Sequence, residues 1–231
     1  MKRLFLLFIA CASIISSISA EDFLIPNYDG IQALGRSNYQ KLLERFQAQD
    51  TTLTIRDVQA VYYGSAFYGN PSPIGVNWNR IDAIYNAIGN DGVIVYVDSL
   101  LSESPLNLGA LRLRYIAAAN ANDTITTEKY FWQYDRLLDA IYATGDAMGE
   151  KTALHVVCVN DEYTIMYYVM KVEFKQQALT SSMCDKMDII TRDGYELSIY
   201  FDVQLVLSLE NRKFSPSRKP FKFKYQNLQK P

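Results

Sequence analysis

The residues of this chain best suited to chemistry are carboxylates in its C-terminal half, namely Asp161, Glu162, Asp185 and Asp202. They lie at predicted turns and strand positions that could converge in the fold, as the oxygen ligands of a calcium ion or the two groups of an acid pair would. Their spacing matches no calcium loop, and solvated turn residues are the ordinary alternative. A metal-dependent hydrolase that uses the carboxylates near Asp161, Asp185 and Asp202 is therefore one hypothesis for the function.

The other catalytic residue types are scarce. His155 is the only histidine, and neither a Ser-His-Asp nor a Cys-His arrangement follows from the spacing around it. The sequence has no glycine-rich phosphate loop, no zinc-ligand spacing and no histidine metal pair. It therefore favours a protein that is not an enzyme, and it predicts no catalytic residue, no metal site and no cofactor.

Aromatic side chains are the alternative source of a binding site. The chain has seventeen tyrosines, and most of them fall on the apolar stripes of predicted helices, which is typical of core packing. Tyr63, Tyr68 and Trp78 fit such stripes less well. Together with Asn70 they flank or belong to the turn-rich segment 69–73 and could line a groove there. These four residues, and the carboxylates Asp161, Glu162, Asp185 and Asp202, are the candidate binding residues.

Residues 1–20 have the features of an export signal. Lys2 and Arg3 precede an apolar run from residue 4 to residue 15, and small residues end the segment at Ala20. The run is shorter than the about 20 residues of a membrane-spanning helix, so cleavage after Ala20 would leave no transmembrane span. We expect a periplasmic or secreted protein; lipidation of Cys11 is the alternative, and it would anchor the protein to a membrane.

Cleavage after Ala20 would remove Cys11 and leave an even pair of cysteines, Cys158 and Cys184. In an oxidising compartment such a pair could form a single disulfide. The alternative interpretation is two small buried hydrophobic side chains on separate strands.

The first part of the chain, residues 21–149, is predicted to be helical. Apolar residues recur there at intervals of three and four, and polar cap residues or glycines mark the helix ends. Six helices follow from this pattern. They begin near Ser37, Thr54, Asn77, Gly92, Asn107 and Thr126. Ser104-Pro105 and Asn107 resemble the junction between tetratricopeptide-type repeats, so we expect stacked helical hairpins.

The hydrophobic period changes beyond Gly149, and residues 150–211 are predicted to be strands. Residues 155–159, 163–172 and 197–207 are the predicted strands, with a hairpin turn at Asp193-Gly194 before the last of them. Strands without intervening helices pair antiparallel, so we predict an α+β fold in which an antiparallel sheet packs on the last helices.

The end of the chain, residues 212–231, is a basic tail that contains prolines. From Arg212 to Pro231 it has seven basic residues and no acidic residue, although the formal net charge of the whole chain is −2. The rest of the protein is therefore acidic, and this charge disfavours a nucleic acid as its ligand. We predict no nucleic-acid partner.

Several short strings resemble a known family. They are Tyr62-Tyr63-Gly64-Ser65-Ala66-Phe67 with Asn70-Pro71, Gly145-Asp146, Asp161-Glu162-Tyr163, Cys184-Asp185-Lys186-Met187 and Tyr200-Phe201-Asp202-Val203. In their order these strings look like an uncharacterised domain-of-unknown-function family of exported Gram-negative bacterial proteins. The resemblance implies export and names no activity. The family usually has a second glycine where this chain has Ala147, and it ordinarily ends before a tail such as residues 212–231.

The leading hypothesis is a non-enzymatic protein of the cell envelope. Its helical hairpins would offer a surface to a protein or peptide partner, since the sequence has repeat-like helices and no catalytic set. A structural scaffold module without a ligand of its own is a further alternative to the hydrolase.

Overall fold

The computed structural model describes residues 23–69 and 76–214, with side chains as far as residue 209. Seven helices come first in the described part of the chain. They are α1 (Tyr28–Ala33), α2 (Arg36–Gln47), α3 (Ile55–Tyr68), α4 (Trp78–Ile88), α5 (Asn90–Glu103), α6 (Leu108–Asn120) and α7 (Thr124–Tyr142). None of the helices described between residues 23 and 214 is long and apolar enough to cross a membrane.

Polar caps fix most of these helix starts, as the sequence indicated. Thr54 forms a capping box with Asp57 at the start of α3, and the side chains of Asn77 and Asn107 accept hydrogen bonds from the first turns of α4 and α6. The cap predicted at Ser37 is wrong. The helix begins one residue earlier, after Gly35, whose positive φ of 77° suits glycine and which provides no side-chain cap.

The helices pack in chain order. α6 contacts both α5 and α7, α5 contacts α4, and α3 lies against α1, α2 and α7. α3 is therefore central to this layer, and the side chains of Tyr62 and Tyr63 on it have no exposed surface.

The second part of the chain forms a four-stranded sheet with helical insertions. Its elements are β1 (Leu154–His155), α8 (Val159–Thr164) continued by a π-helical turn (Ile165–Met170), β2 (Glu173–Leu179), β3 (Cys184–Ile190), β4 (Glu196–Asp202) and α9 (Gln204–Phe214). The strand order is β1-β4-β3-β2. β2, β3 and β4 pair antiparallel, so the fold is α+β as predicted, with the sheet after the helices.

Three details of the predicted sheet are wrong. Residues 163–172 are mostly helical, because an apolar run of this length has no distinct period and the acidic residues of the α8 first turn favour a helix. The strand predicted at 155–159 is only the two-residue β1, which pairs with β4 in parallel. The long last strand ends at Asp202, whose carboxylate accepts a hydrogen bond from the backbone amide of Gln204 at 3.0 Å and so begins α9.

The two edges of the sheet are different. The outer edge of β4 is covered by β1 and by the loop after α7, where the amide of Tyr200 donates to the carbonyl of Ala147 at 2.9 Å. The opposite edge is β2, which is largely exposed and has a bulge between Phe174 and Gln176. Ala147 itself has a φ of 65°, a conformation that glycine adopts more easily than alanine.

Candidate functional site

A buried polar network joins α3 to the segment that follows β1. The hydroxyl of Tyr62 donates to Oδ2 of Asp161 at 2.5 Å and accepts from the amide of Val157 at 3.3 Å. The hydroxyl of Tyr63 donates to the carbonyl of His155 at 3.0 Å, and the two tyrosine rings meet edge to face at 4.9 Å. Because neighbouring tyrosines of one helix hold both contacts, the network fixes residues 155–161 against the helical layer.

Asp161 is the residue of this network with unused bonding capacity. It is 1% exposed, and its Oδ1 has no hydrogen-bond partner among the described residues. Burial raises the pKa of Asp161 to about 6, although the nearby Tyr62 hydroxyl, the Cys158 thiol and the backbone amide of Leu108 lower it. No cationic side chain of the described chain contributes to this shift. A buried carboxylate without a cation is costly unless something else balances its charge.

Asp161 lines a small cavity, here called the inner cavity. Its volume is about 100 Å³, and its walls come from α2, the end of α3, the loop between α5 and α6, and the start of α8. The lining residues are Tyr39, Gln40, Leu43, Ser65, Tyr68, Gly69, Ser104, Pro105, Leu106, Asn107, Val157, Cys158 and Asp161. Gly64 allows the ring of Tyr39 to lie on α3, since a Cβ there would come within 2.7 Å of the ring. Among the described residues of the lining, Asp161 alone is formally charged.

A larger cavity, here called the outer cavity, adjoins the inner one. Its volume is about 420 Å³, and both cavities have Pro105 in their walls and α2 along one side. Gln47, Asp98, Leu101, Ser102, Pro105, Lys129, Tyr130 and Gln133 line it. The two cavities share the wall residue Pro105, and we call them together the cleft, which lies between α2 and the α5–α6 loop. A third cavity of about 470 Å³ lies along α1 and α3, and its charged residue, Arg56, already donates to the Ile25 carbonyl and to Gln59.

Glu162 and Asp185 form a second buried acidic feature. Glu162 has no exposed surface. When Glu162 and Asp185 are both charged, neither carboxylate oxygen of Glu162 has a hydrogen-bond donor among the described residues. Burial, with the charge of Asp185 nearby, raises the pKa of Glu162 well above its ordinary range, and burial raises the pKa of Asp185 as well. The pair is therefore best described with a proton on Glu162, which donates to Asp185, while Gln177 donates to Asp185 Oδ2 at 2.6 Å.

The structure does not bring the predicted carboxylates together in one site. Asp161, Glu162 and Asp185 are neighbours, whereas Asp202 pairs across the sheet with Cys184, and the next residue of β3, Asp185, points to the opposite face. Asp202 accepts from the amide and the side chain of Gln204 and so holds the start of α9. No group of three or more histidine, cysteine, aspartate or glutamate residues that could hold a metal ion occurs in residues 23–69 and 76–214.

His155 belongs to the packing of the same region. Its Nδ1 lies 2.8 Å from the hydroxyl of Tyr28, and its backbone amide donates to Thr144 Oγ1 at 3.0 Å. Burial lowers the pKa of His155 in spite of the opposing charge of Asp202, which favours a neutral imidazole.

The other predicted site residues have separate positions. Tyr68 lines the inner cavity, and its hydroxyl donates to the carbonyl of Gln32 and accepts from the amide of Gly35. Tyr63 is in the core, and Trp78 packs against Tyr168 with ring centroids 4.9 Å apart. Asn70 lies outside the described residues.

The sequence left open whether Cys158 and Cys184 form a disulfide, and in the structure they are not joined. Cys158 precedes α8 beside Asp161, whereas Cys184 begins β3 and its thiol lies 3.7 Å from the carbonyl oxygen of Glu150. The two side chains therefore belong to different elements and have different neighbours.

Several lining residues of the cleft were not among the predicted site residues. Tyr39 was interpreted as core packing, and Pro105 and Asn107 only as helix boundaries. The helix-breaking Pro105 and the cap residue Asn107 place the α5–α6 loop correctly, but no sequence spacing indicates that this loop faces α8.

We expect the charge of Asp161 to destabilise the protein above pH 6. The folded-state pKa of about 6 exceeds the unfolded value of about 3.9, so the native state binds the proton more tightly. The charge of Asp161 lowers the free energy of unfolding by its full amount above the pKa of the folded state. This penalty disappears as the pH falls below the pKa of the unfolded state. Asp161→Asn should therefore be about 2 kcal/mol more stabilising at about pH 8 than at about pH 4.5, as measured by urea unfolding.

Asp139→Asn is the control for this measurement, because Asp139 is exposed on α7 and pairs only with Arg136 at the surface. Equal effects of the two substitutions at both pH values would contradict the prediction.

Comparison with known proteins identifies a family. A sequence model described as Domain of unknown function (DUF4919) matches residues 32–212. No curated protein and no solved structure matches the chain. The matched segment contains the cleft, the Tyr62–Asp161 contact and all four strands.

Proposed function

We propose that this chain, which belongs to the family of domains of unknown function DUF4919, is a non-enzymatic protein that binds an extended peptide segment in the cleft. The observation that carries the proposal is that a cavity of about 420 Å³ and a cavity of about 100 Å³ share the wall residue Pro105. The outer cavity, at about 420 Å³, has the volume to hold a short stretch of backbone, and the inner cavity, at about 100 Å³, has the volume to hold one side chain. This combination of groove and pocket is how extended peptides are commonly recognised.

The walls of the outer cavity offer the polar groups that a peptide backbone needs. Gln133 is held in place by a hydrogen bond from its Nε2 to the carbonyl of Gln47 at 3.2 Å, which leaves its Oε1 as an acceptor. Ser102 is exposed on α5, and its hydroxyl donates to the carbonyl of Ser99 at 2.7 Å, which leaves its oxygen as an acceptor. Tyr130 adds an aromatic surface that the guanidinium of Arg114 faces at 5.3 Å. A backbone lying in this cavity would replace its water contacts by these groups.

The export signal supports a role in the cell envelope or outside the cell. Residues 1–20 have the charge, apolar run and small-residue end of a cleavable leader, and they lie outside the described residues. We therefore propose that the peptide belongs to an envelope or extracellular partner, with the stacked helices as the supporting scaffold.

Closing the outer cavity should abolish peptide binding. The probe is a fluorescein-labelled set of short extended peptides that differ only in the central residue, titrated against the purified protein by fluorescence anisotropy. Ser102→Trp fills the outer cavity from α5, so we expect its affinity to fall at least about tenfold. Ser102→Ala is the matched control, because it removes the hydroxyl without filling space, and the loss of one hydrogen bond should weaken binding only a few-fold, by less than Ser102→Trp does. Equal binding by Ser102→Trp, or binding of no peptide by the unsubstituted protein, would overturn the proposed function.

A further inference from the structure

The inner cavity has one strong polar determinant, the carboxylate of Asp161. Oδ2 accepts from the hydroxyl of Tyr62 at 2.5 Å, while Oδ1 has no hydrogen-bond partner among the described residues, although the Cys158 thiol and the Leu108 amide lie close to the carboxylate. Asp161 is 1% exposed and lines the cavity, so water competes poorly for it. A ligand group that donates hydrogen bonds and bears positive charge would satisfy this oxygen at a low local dielectric.

The remaining walls are suited to a hydrocarbon chain that ends in such a group. Leu43, Leu106 and Val157 supply aliphatic surface. The rings of Tyr39 and Tyr68, with centroids 5.2 Å apart, supply aromatic surface that attracts a cation. Burial alone raises the pKa of Tyr39 to about 12, so its hydroxyl remains neutral and able to accept a hydrogen bond.

The geometry selects among cations. A guanidinium binds carboxylate best through two parallel hydrogen bonds, and the Tyr62 contact leaves only one oxygen of Asp161 available. Calcium and magnesium need more oxygen ligands than this single carboxylate supplies. An ammonium group is compact, and its three donors can be shared among one carboxylate oxygen and nearby hydroxyls such as that of Ser65.

We infer that the inner cavity binds a primary alkylammonium group, the chemistry of a lysine side chain, through Asp161 Oδ1. This inference rests on the proposed function, because the outer cavity would hold the peptide that carries the lysine. It names the side chain that the cleft selects.

The test uses n-butylammonium as the probe of the inner cavity alone. Ligand-observed NMR titration of the purified protein should show saturable binding of n-butylammonium, with binding of n-butanol at least about tenfold weaker. Asp161→Asn should reduce the affinity for n-butylammonium at least about tenfold, and the exposed-site control Asp139→Asn should leave it unchanged. Ser65→Leu, which fills the cavity from α3 without touching the carboxylate, should also abolish binding.

The outcomes separate this inference from the proposed function. Labelled peptides with lysine or norleucine at the centre are compared in the anisotropy assay. If the protein binds the lysine peptide more tightly than the norleucine peptide, and the Asp161→Asn variant does not, the result supports the proposed function and the alkylammonium inference. Equal binding of the two peptides overturns the alkylammonium inference and leaves the proposed function intact. If n-butylammonium binds but no peptide does, only the proposed function is overturned. If n-butylammonium and n-butanol bind equally, the alkylammonium inference is overturned. Thermal unfolding of each variant checks that the protein is folded.

Discussion

Gly145→Ala is expected to lower the free energy of unfolding by about 3 to 5 kcal/mol, which would unfold much of the protein. A Cβ at this position would lie 2.1 Å from the carbonyl oxygen of Thr152 and 2.7 Å from that of Ala153. Both are backbone atoms, so no side-chain rotation relieves the clash, and the chain before β1 must move. Movement there would displace His155 and Val157, which hold the network of Tyr62 and Tyr63. Urea unfolding followed by far-UV circular dichroism measures the effect.

Gly149→Ala is the matched control for Gly145→Ala. Gly149 belongs to the same loop, but its φ of −168° suits any residue, and a Cβ there would have Thr152 Oγ1 at 4.0 Å as its nearest neighbour. We expect a change within about 0.5 kcal/mol. A Gly145→Ala variant as stable as Gly149→Ala would show that the close approach of residues 145 and 152 does not constrain the fold.

Tyr62→Phe should cost about 2 to 3 kcal/mol at about pH 8, because it leaves a buried carboxylate without its donor. The Tyr62 hydroxyl also accepts from the amide of Val157, which would lose its partner. The cost should decrease as the pH falls through the pKa of Asp161, since a protonated carboxyl needs no donor to balance its charge. Removal of the hydroxyl raises that pKa further. Unfolding in urea at about pH 8 and about pH 4.5 tests both expectations.

Tyr63→Phe separates the charge effect from the loss of a buried hydroxyl. Tyr63 is as buried as Tyr62 and adjoins it on α3, but its hydroxyl donates to the neutral carbonyl of His155. We expect a cost of about 1 kcal/mol with little pH dependence. In the background of Asp161→Asn, Tyr62→Phe should cost no more than Tyr63→Phe does. A pH-independent cost for Tyr62→Phe would show that Asp161 is not charged in the native protein.

The helical part of the fold could be predicted because its signals are local. Thr54, Asn77 and Asn107 each cap a helix through a hydrogen bond to a residue three positions on, and an interval of this kind is visible in the sequence. The segment 163–172 was misassigned because its apolar residues satisfy a strand and a buried helix equally well. Only the packing of α8 against α6 and of the π-helical turn against β2 distinguishes them.

The candidate site depends on contacts that no sequence interval reveals. Tyr62 and Asp161 are 99 positions apart, and Pro105 lies between them in the chain while it lines the cavities from the opposite side. The sequence indicated Asp161 as one of several carboxylates that could converge, and its position on the wall of the inner cavity depends on contacts distant in sequence. Asp161 is instead a single carboxylate on one side of a cavity, and Asp202, which the sequence grouped with it, holds the start of α9.

The bulge and the charged residues of β2 affect whether copies of this protein associate through their sheet edges at high concentration. A straight, exposed strand is a template on which a strand of another molecule can add, and such addition is a common route to aggregation. β2 breaks its own ladder at the bulge between Phe174 and Gln176, and it bears the charged residues Glu173 and Lys175. Two molecules that met at this edge would thus lose hydrogen bonds at the bulge and would have to desolvate charged side chains. The bulge and the charged residues therefore disfavour the addition of a strand from another molecule at this edge.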